Sequence, residues 1–157
     1  MSTTCELERT MNHPYLRAYM AGIVVPTAFL LVVMGVFCLA RFVFRVPVPI
    51  ERVIVFPMAL IPNMFGAWNM LHVALMPGRR LSIGAHGALL PFVLVPLGFT
   101  LGMLLGVINI DRDGVHAFQT VRLAYVAAAF VFPVVIIVYY LVWKYMVAFL
   151  NDVVGIE

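Results

Sequence analysis

Four apolar stretches, Met20–Ala40, Val53–Met76, Gly87–Ile110 and Leu123–Trp143, carry no charged residue in their interiors. Each is about 20–24 residues long, which is what an α-helix needs to cross ~30 Å of hydrocarbon. The charges sit at the ends of these stretches or between them. The chain has 157 residues, of which 64% are hydrophobic and 11% charged. Soluble domains average roughly 45–50% apolar and 25% charged, so one water-soluble core cannot hide this much apolar side chain. The expected fold is an all-α integral membrane protein. Residues 1–157 form a single four-span domain, an up-down antiparallel bundle with proline-kinked spans, preceded by a polar tail over 1–17.

The connections fit that architecture. Pro47 and Pro49 favour an extended turn between the first two stretches. Pro77-Gly78-Arg79-Arg80 ends the second stretch, and Asp111-Arg112-Asp113-Gly114 reads as a turn terminating the third. The segment from Lys144 onward either extends the fourth span or lies in the interface. The tail, with Glu6, Glu8, Arg9 and His13, lacks the pattern of a cleavable signal. Cys5 and Cys38 fall on opposite sides of the membrane and cannot pair.

An even number of spans puts both termini on one side. That side then holds Arg9, Arg17, Arg79, Arg80 and Lys144, and the other holds Arg41, Arg45, Arg52, Arg112 and Arg122. The bias that normally orients a membrane protein is therefore balanced. A cytoplasmic placement of the termini rests on base rate alone. Tyr15, Tyr19, Tyr139, Tyr140, Trp143 and Tyr145 gather near the terminal side, where ring amphipathicity predicts a headgroup-level belt. The net charge of +3 comes from residues flanking the spans, with no basic stripe, so no nucleic-acid partner is expected.

Prolines recur inside the spans: Pro26, Pro57, Pro62, Pro91, Pro96 and Pro133. Each removes a backbone hydrogen bond and kinks its helix. The Pro-x4-Pro spacing in stretches two and three matches an inverted repeat, but ordinary proline enrichment in membrane helices accounts for it.

Gly98, Gly102 and Gly106 recur every four residues and predict a close helix contact, within the chain or with another subunit. Ala124 and Ala128 offer a similar step. On the second stretch Pro62, Phe65, Asn69, His72 and Met76 share one helical face, with Asn63 off it. Amides and imidazoles in hydrocarbon need partners, so Asn63, Asn69 and His72 either bond between helices or form a polar lining. Asn63 is also placed to bond the carbonyl freed by Pro62.

His72 and His86 approach the same side and are weak candidates for ligating a metal or haem. No cofactor is otherwise expected. Asn109, Asp111, Asp113 and Gly114 match the first half of a calcium loop, but Thr120 stands where a bidentate glutamate is needed. Arg79 and Arg80 are a candidate contact for anionic lipid headgroups.

The spans contain no carboxylate for ion coupling and no nucleophile, acid–base or metal set, so an enzyme is not expected. The expected function is a helical accessory or structural subunit of a membrane complex or homo-oligomer. Its partners are the lipid bilayer and other membrane helices. The alternatives are an oligomeric channel or small-solute transporter lined by the second span, and a haem- or lipid-binding membrane protein.

Overall fold

The computed structural model describes residues 13–45, 55–75, 81–111, 114–117 and 121–156. Cys5, Met76, Arg79, Arg80, Arg112, Asp113 and Thr120 lie outside the described residues. The chain is mostly helical. Helix α1 spans Pro14–Phe42, α2 Val55–Ala74, α3 Ile83–Leu89 and α4 Pro91–Leu104. Three strands follow, β1 Ile108–Asp111, β2 Gly114–Ala117 and β3 Val121–Leu123. Helix α5, Tyr125–Leu141, then passes through a π-helical turn, Val142–Val147, into α6, Ala148–Val153.

Three of these helical segments are long and apolar enough to cross a membrane: Pro14–Phe42, Ile83–Leu104 and Tyr125–Val153. Helix α2 is 20 residues long but falls outside that class, because Asn63, Asn69 and His72 dilute its apolar run. The first helix begins at Pro14, six residues before the expected start. Proline suits that first helical position because its missing N–H has no partner to lose there. The polar tail accordingly ends at His13.

The third stretch departs most from expectation. Helix starts at Ile83, where the Ser82 hydroxyl accepts from the Ala85 N–H as an N-cap. At Pro91 the usual bond to the Gly87 carbonyl is impossible, and that oxygen accepts from the Leu90 N–H at 3.1 Å instead. The helix ends at Leu104, not Ile110. Gly106, at φ +65°, stops it: the Val107 N–H reaches back to the Gly102 carbonyl (2.9 Å) and the Gly106 N–H to the Met103 carbonyl (3.0 Å). This is the Schellman arrangement, with glycine in the left-handed position after the helix. Gly106→Ala should cost about 1–2 kcal/mol through the left-handed backbone alone. A lowered midpoint in detergent thermal unfolding checks it.

The all-α expectation is therefore corrected by an antiparallel sheet of order β1-β2-β3. Asp111 pairs with Gly114 across the first reversal, so Asp111-Arg112-Asp113-Gly114 joins two strands and does not terminate a helix. Alternating Ile108, Ile110 with Asn109, Asp111 gives this segment the period of two that strands require.

The fourth stretch continues beyond Trp143 to Val153, so the terminal segment extends the helix. Gly155, at φ +69°, closes it in the same way as Gly106, with the Ile156 N–H on the Asn151 carbonyl at 2.9 Å.

Packing is uneven along the long helices. Helix α1 lies most extensively against α2, and α3 lies against α5 and the π turn. Phe65, Leu90, Trp143 and Val147 form the buried core. On α1 the buried residues are Ala18, Ala21, Gly22, Pro26 and Leu30. No described residue of α1 beyond Leu30, and none of α5, is buried.

Candidate functional site

The polar residues of α2 meet their partners at the packed end. Among the described residues of α2 the buried ones are Pro62, Phe65, Gly66, Asn69 and His72, a row at helical spacing. Asn69 is completely buried. Its Nδ2 donates to the Ala18 carbonyl of α1 at 2.8 Å and to Asn151 Oδ1 of α6 at 2.7 Å. Asn151 Nδ2 donates back to Asn69 Oδ1 at 3.2 Å. The two amides thus pair reciprocally and hold α1, α2 and α6 together. A lining residue needs hydrogen-bonding capacity turned toward a lumen, and Asn69 turns its amide inward to the chain.

The π turn explains why Asn151 arrives there. Trp143, Val147 and Asn151 are all buried and stand four residues apart. Four residues overshoot a full α-helical turn but fall short of a full π-helical one. The two offsets cancel, which keeps the three residues in one column.

Asn63 is exposed. It accepts a hydrogen bond from the Tyr19 hydroxyl and donates to the Ala59 carbonyl. Its amide therefore bonds its own preceding turn at Ala59, not the carbonyl that Pro62 frees.

His72 and His86 are both buried. Trp68 Nε1 donates to the His86 carbonyl at 2.9 Å, and His86 Nε2 lies 3.1 Å from the Trp68 carbonyl. A carbonyl can only accept, so His86 carries its proton on Nε2. The Trp68 and His86 rings stack at 5.1 Å between centroids, and His72 meets His86 edge-on at 5.0 Å. This α2–α3 bracket does not suit axial ligation of haem: rings in contact leave no gap for a porphyrin, and His86 Nε2 is engaged with backbone. Among the described residues no group of three or more His, Cys, Asp or Glu stands together.

Trp143 sits at the centre of this packing and not in a headgroup belt. It is fully buried, tilted against Phe65 at 5.8 Å and edge-on to His86 at 6.0 Å. Its Nε1 has no hydrogen-bond partner among the described residues. Tyr15 and Tyr145 remain exposed, as headgroup-level rings would be.

The close backbone approaches fall on glycines other than the expected stripe. A Cβ on Gly22 would stand 2.7 Å from the Phe65 carbonyl oxygen and 2.9 Å from Gly66 Cα, so α1 and α2 cross backbone on backbone. A Cβ on Gly87 would overlap Trp143. Of the predicted stripe, Gly98 faces open space, Gly102 receives the Ile108 side chain, and Gly106 lies past the helix end with nothing beside it. The three do not form an intrachain helix contact, because the helix ends before the third of them. Ala124 is likewise outside α5, at its N-cap in extended backbone, so it shares no helical face with Ala128. The missed signals were Ala18-x-x-Ala21-Gly22, a cluster of small residues on one face, and the four-residue recurrence from Trp143 to Asn151.

Comparison with family models, with curated proteins and with solved structures finds no match.

Proposed function

We propose that the chain is a non-enzymatic multi-pass membrane protein, a helical accessory or structural subunit of a membrane complex. All four helical stretches cross the bilayer in up-down order, and both termini lie on one side. Helix α2, the least apolar, is the inner helix: at about 1.5 Å per residue its 20 residues span ~30 Å. Two of its polar side chains, Asn69 and His72, are buried. The proximity of Arg17 to Gly155 suits termini on a common side.

One observation carries the subunit reading. Among the described residues, none of α1 beyond Leu30 and none of α5 is buried: Val32, Val36, Phe130 and Val134 are all exposed. In a bilayer such faces meet lipid or the helices of other subunits, and association there depends on packing. The channel reading draws less support, since the fully buried amide of α2 bonds within the chain.

Native mass spectrometry of protein taken from its own membrane in mild detergent tests the proposal. Co-purifying foreign helical subunits are the expected result. A defined homo-oligomer that passes ions or solutes in liposomes, with flux altered by Asn69→Leu or His72→Leu, would establish the channel instead.

A further inference from the structure

We infer that the three-stranded sheet is an interfacial plate that lies in the lipid headgroup layer, its apolar columns toward the acyl chains. The inference rests on the membrane reading above. The sheet is tethered at both ends to apolar helices of membrane-spanning length. Three residues separate Leu104 from Ile108, and one separates Leu123 from Tyr125. At about 3.3–3.6 Å per residue the sheet cannot stand more than ~10–15 Å from the helix ends.

Its register is amphipathic. The columns Ile108–Ala117–Val121 and Ile110–Val115–Leu123 are apolar throughout. They alternate with the polar column Asn109–His116–Arg122 and the pair Asp111–Gly114. Successive residues of a strand face opposite sides, so Ile108, Ile110 and Val115 share one face and Asn109, Asp111 and His116 the other. Two contacts fix the plate against the helices. The Ile108 side chain occupies the space over Gly102 of α4, and the Tyr125 hydroxyl donates to the Asp111 carbonyl at 2.7 Å. On the polar side His116 Nε2 lies 3.9 Å from Asp111 Oδ2.

The apolar face is only partly covered by the chain. Val115 is buried, but Ile110 is 51% exposed and the neighbouring Leu104 77%. An amphipathic sheet at this level places its apolar columns on the acyl boundary and its polar columns in water. Depth is limited from the other direction. Among the described residues the outer edges of β1 and β3 pair with no further strand, and open sheet edges do not enter hydrocarbon because their N–H and C=O groups would lose water. The headgroup layer satisfies both requirements.

Nitroxide accessibility in phosphatidylcholine–phosphatidylglycerol vesicles tests the placement. In a Cys5→Ser, Cys38→Ser background, labels are attached to Ile110→Cys, Asn109→Cys, Leu104→Cys and, as a reporter on α1, Val32→Cys. Oxygen concentrates among acyl chains and a nickel chelate stays in water. The expected oxygen-to-nickel accessibility ratio is above one at Val32, Leu104 and Ile110 and below one at Asn109. A ratio below one at both Leu104 and Ile110, with Val32 still above one, places the sheet in water and overturns the inference alone. Labels at both positions that neither reagent reaches mean that protein covers the face, which also overturns it. A ratio below one at Val32 overturns the membrane reading itself.

Discussion

Replacing Gly87 with alanine should strongly destabilise the packed end of the molecule. The added Cβ would stand 1.9 Å from Trp143 Cγ and 2.4 Å from its Cβ and Cδ1, far inside van der Waals contact. Trp143 has nowhere to retreat, because it is fully buried among Phe65, His86 and Val147. One of the overlapped atoms, Cβ at 2.4 Å, is fixed by the backbone, so rotation of the side chain alone cannot remove the overlap. Overpacking of this kind typically costs about 1–3 kcal/mol and occasionally more, and a fixed indole puts Gly87→Ala at the upper end. The matching control is Gly98→Ala, which meets nothing within 4 Å and exchanges a flexible glycine for a better helix former. It should be neutral or stabilising by about 0.5 kcal/mol. Thermal unfolding of both variants in the same detergent, followed by far-UV dichroism, reads the contrast. Equal midpoints would contradict the seating of Trp143 on Gly87.

Breaking the amide pair should cost nearly as much. Asn69→Ala removes three hydrogen bonds at once and strands the Asn151 side chain in a buried site, while the Ala18 carbonyl keeps its bond within helix α1. Interhelical hydrogen bonds in membranes average only ~0.6 kcal/mol, because the unfolded chain also finds partners in the bilayer. A buried polar group left alone costs roughly 1–3 kcal/mol, so the orphaned Asn151 amide, more than the lost bonds, sets the size of the effect. Asn69→Ala is expected to destabilise by about 3 kcal/mol, and Asn151→Leu by about 2 kcal/mol. In the double variant Asn69→Leu/Asn151→Leu both amides are gone and neither is stranded. Its loss should fall short of the sum of the two leucine single variants by about 1 kcal/mol or more. Additivity in unfolding free energies would show that the two side chains do not act as a pair.

The parts of this fold legible in the sequence were those governed by hydropathy. Uncharged runs place helices because one long apolar stretch is a strong signal whatever surrounds it. The face of α2 carrying Pro62, Phe65, Asn69 and His72 was readable from spacing, because helical period alone decides which residues share a side. Contacts between distant segments were less legible. Gly22 and Gly87 matter because of what lies across from them, the backbone of α2 and the ring of Trp143, and no local pattern names that neighbour. The stripe Gly98, Gly102, Gly106 was misleading for a local reason: glycine serves both as a helix-packing surface and as a helix stop. At Gly106 the second role prevailed, and the strand alternation of Ile108–Asp111 was absorbed into an apolar run. Asn151 was hidden by a different effect. Continuous α-helix does not keep Trp143, Val147 and Asn151 in line, and the π turn that does so leaves no simple mark in composition.

The central claim is that the polar interior of α2 binds the chain to itself and lines no aqueous path. Exchange of the Asn69 side-chain amide is its most direct measure. Protein labelled with ¹⁵N at asparagine is reconstituted in bilayers and transferred to D₂O, with Asn69 and Asn151 assigned through their single variants. The exposed Asn109 serves as the freely exchanging reference. Both Asn69 Nδ2 protons, held by the Ala18 carbonyl and Asn151 Oδ1, should survive long after the Asn109 signal has gone. Loss of the Asn69 signal as fast as that of Asn109 would place water at the centre of the protein and contradict the account.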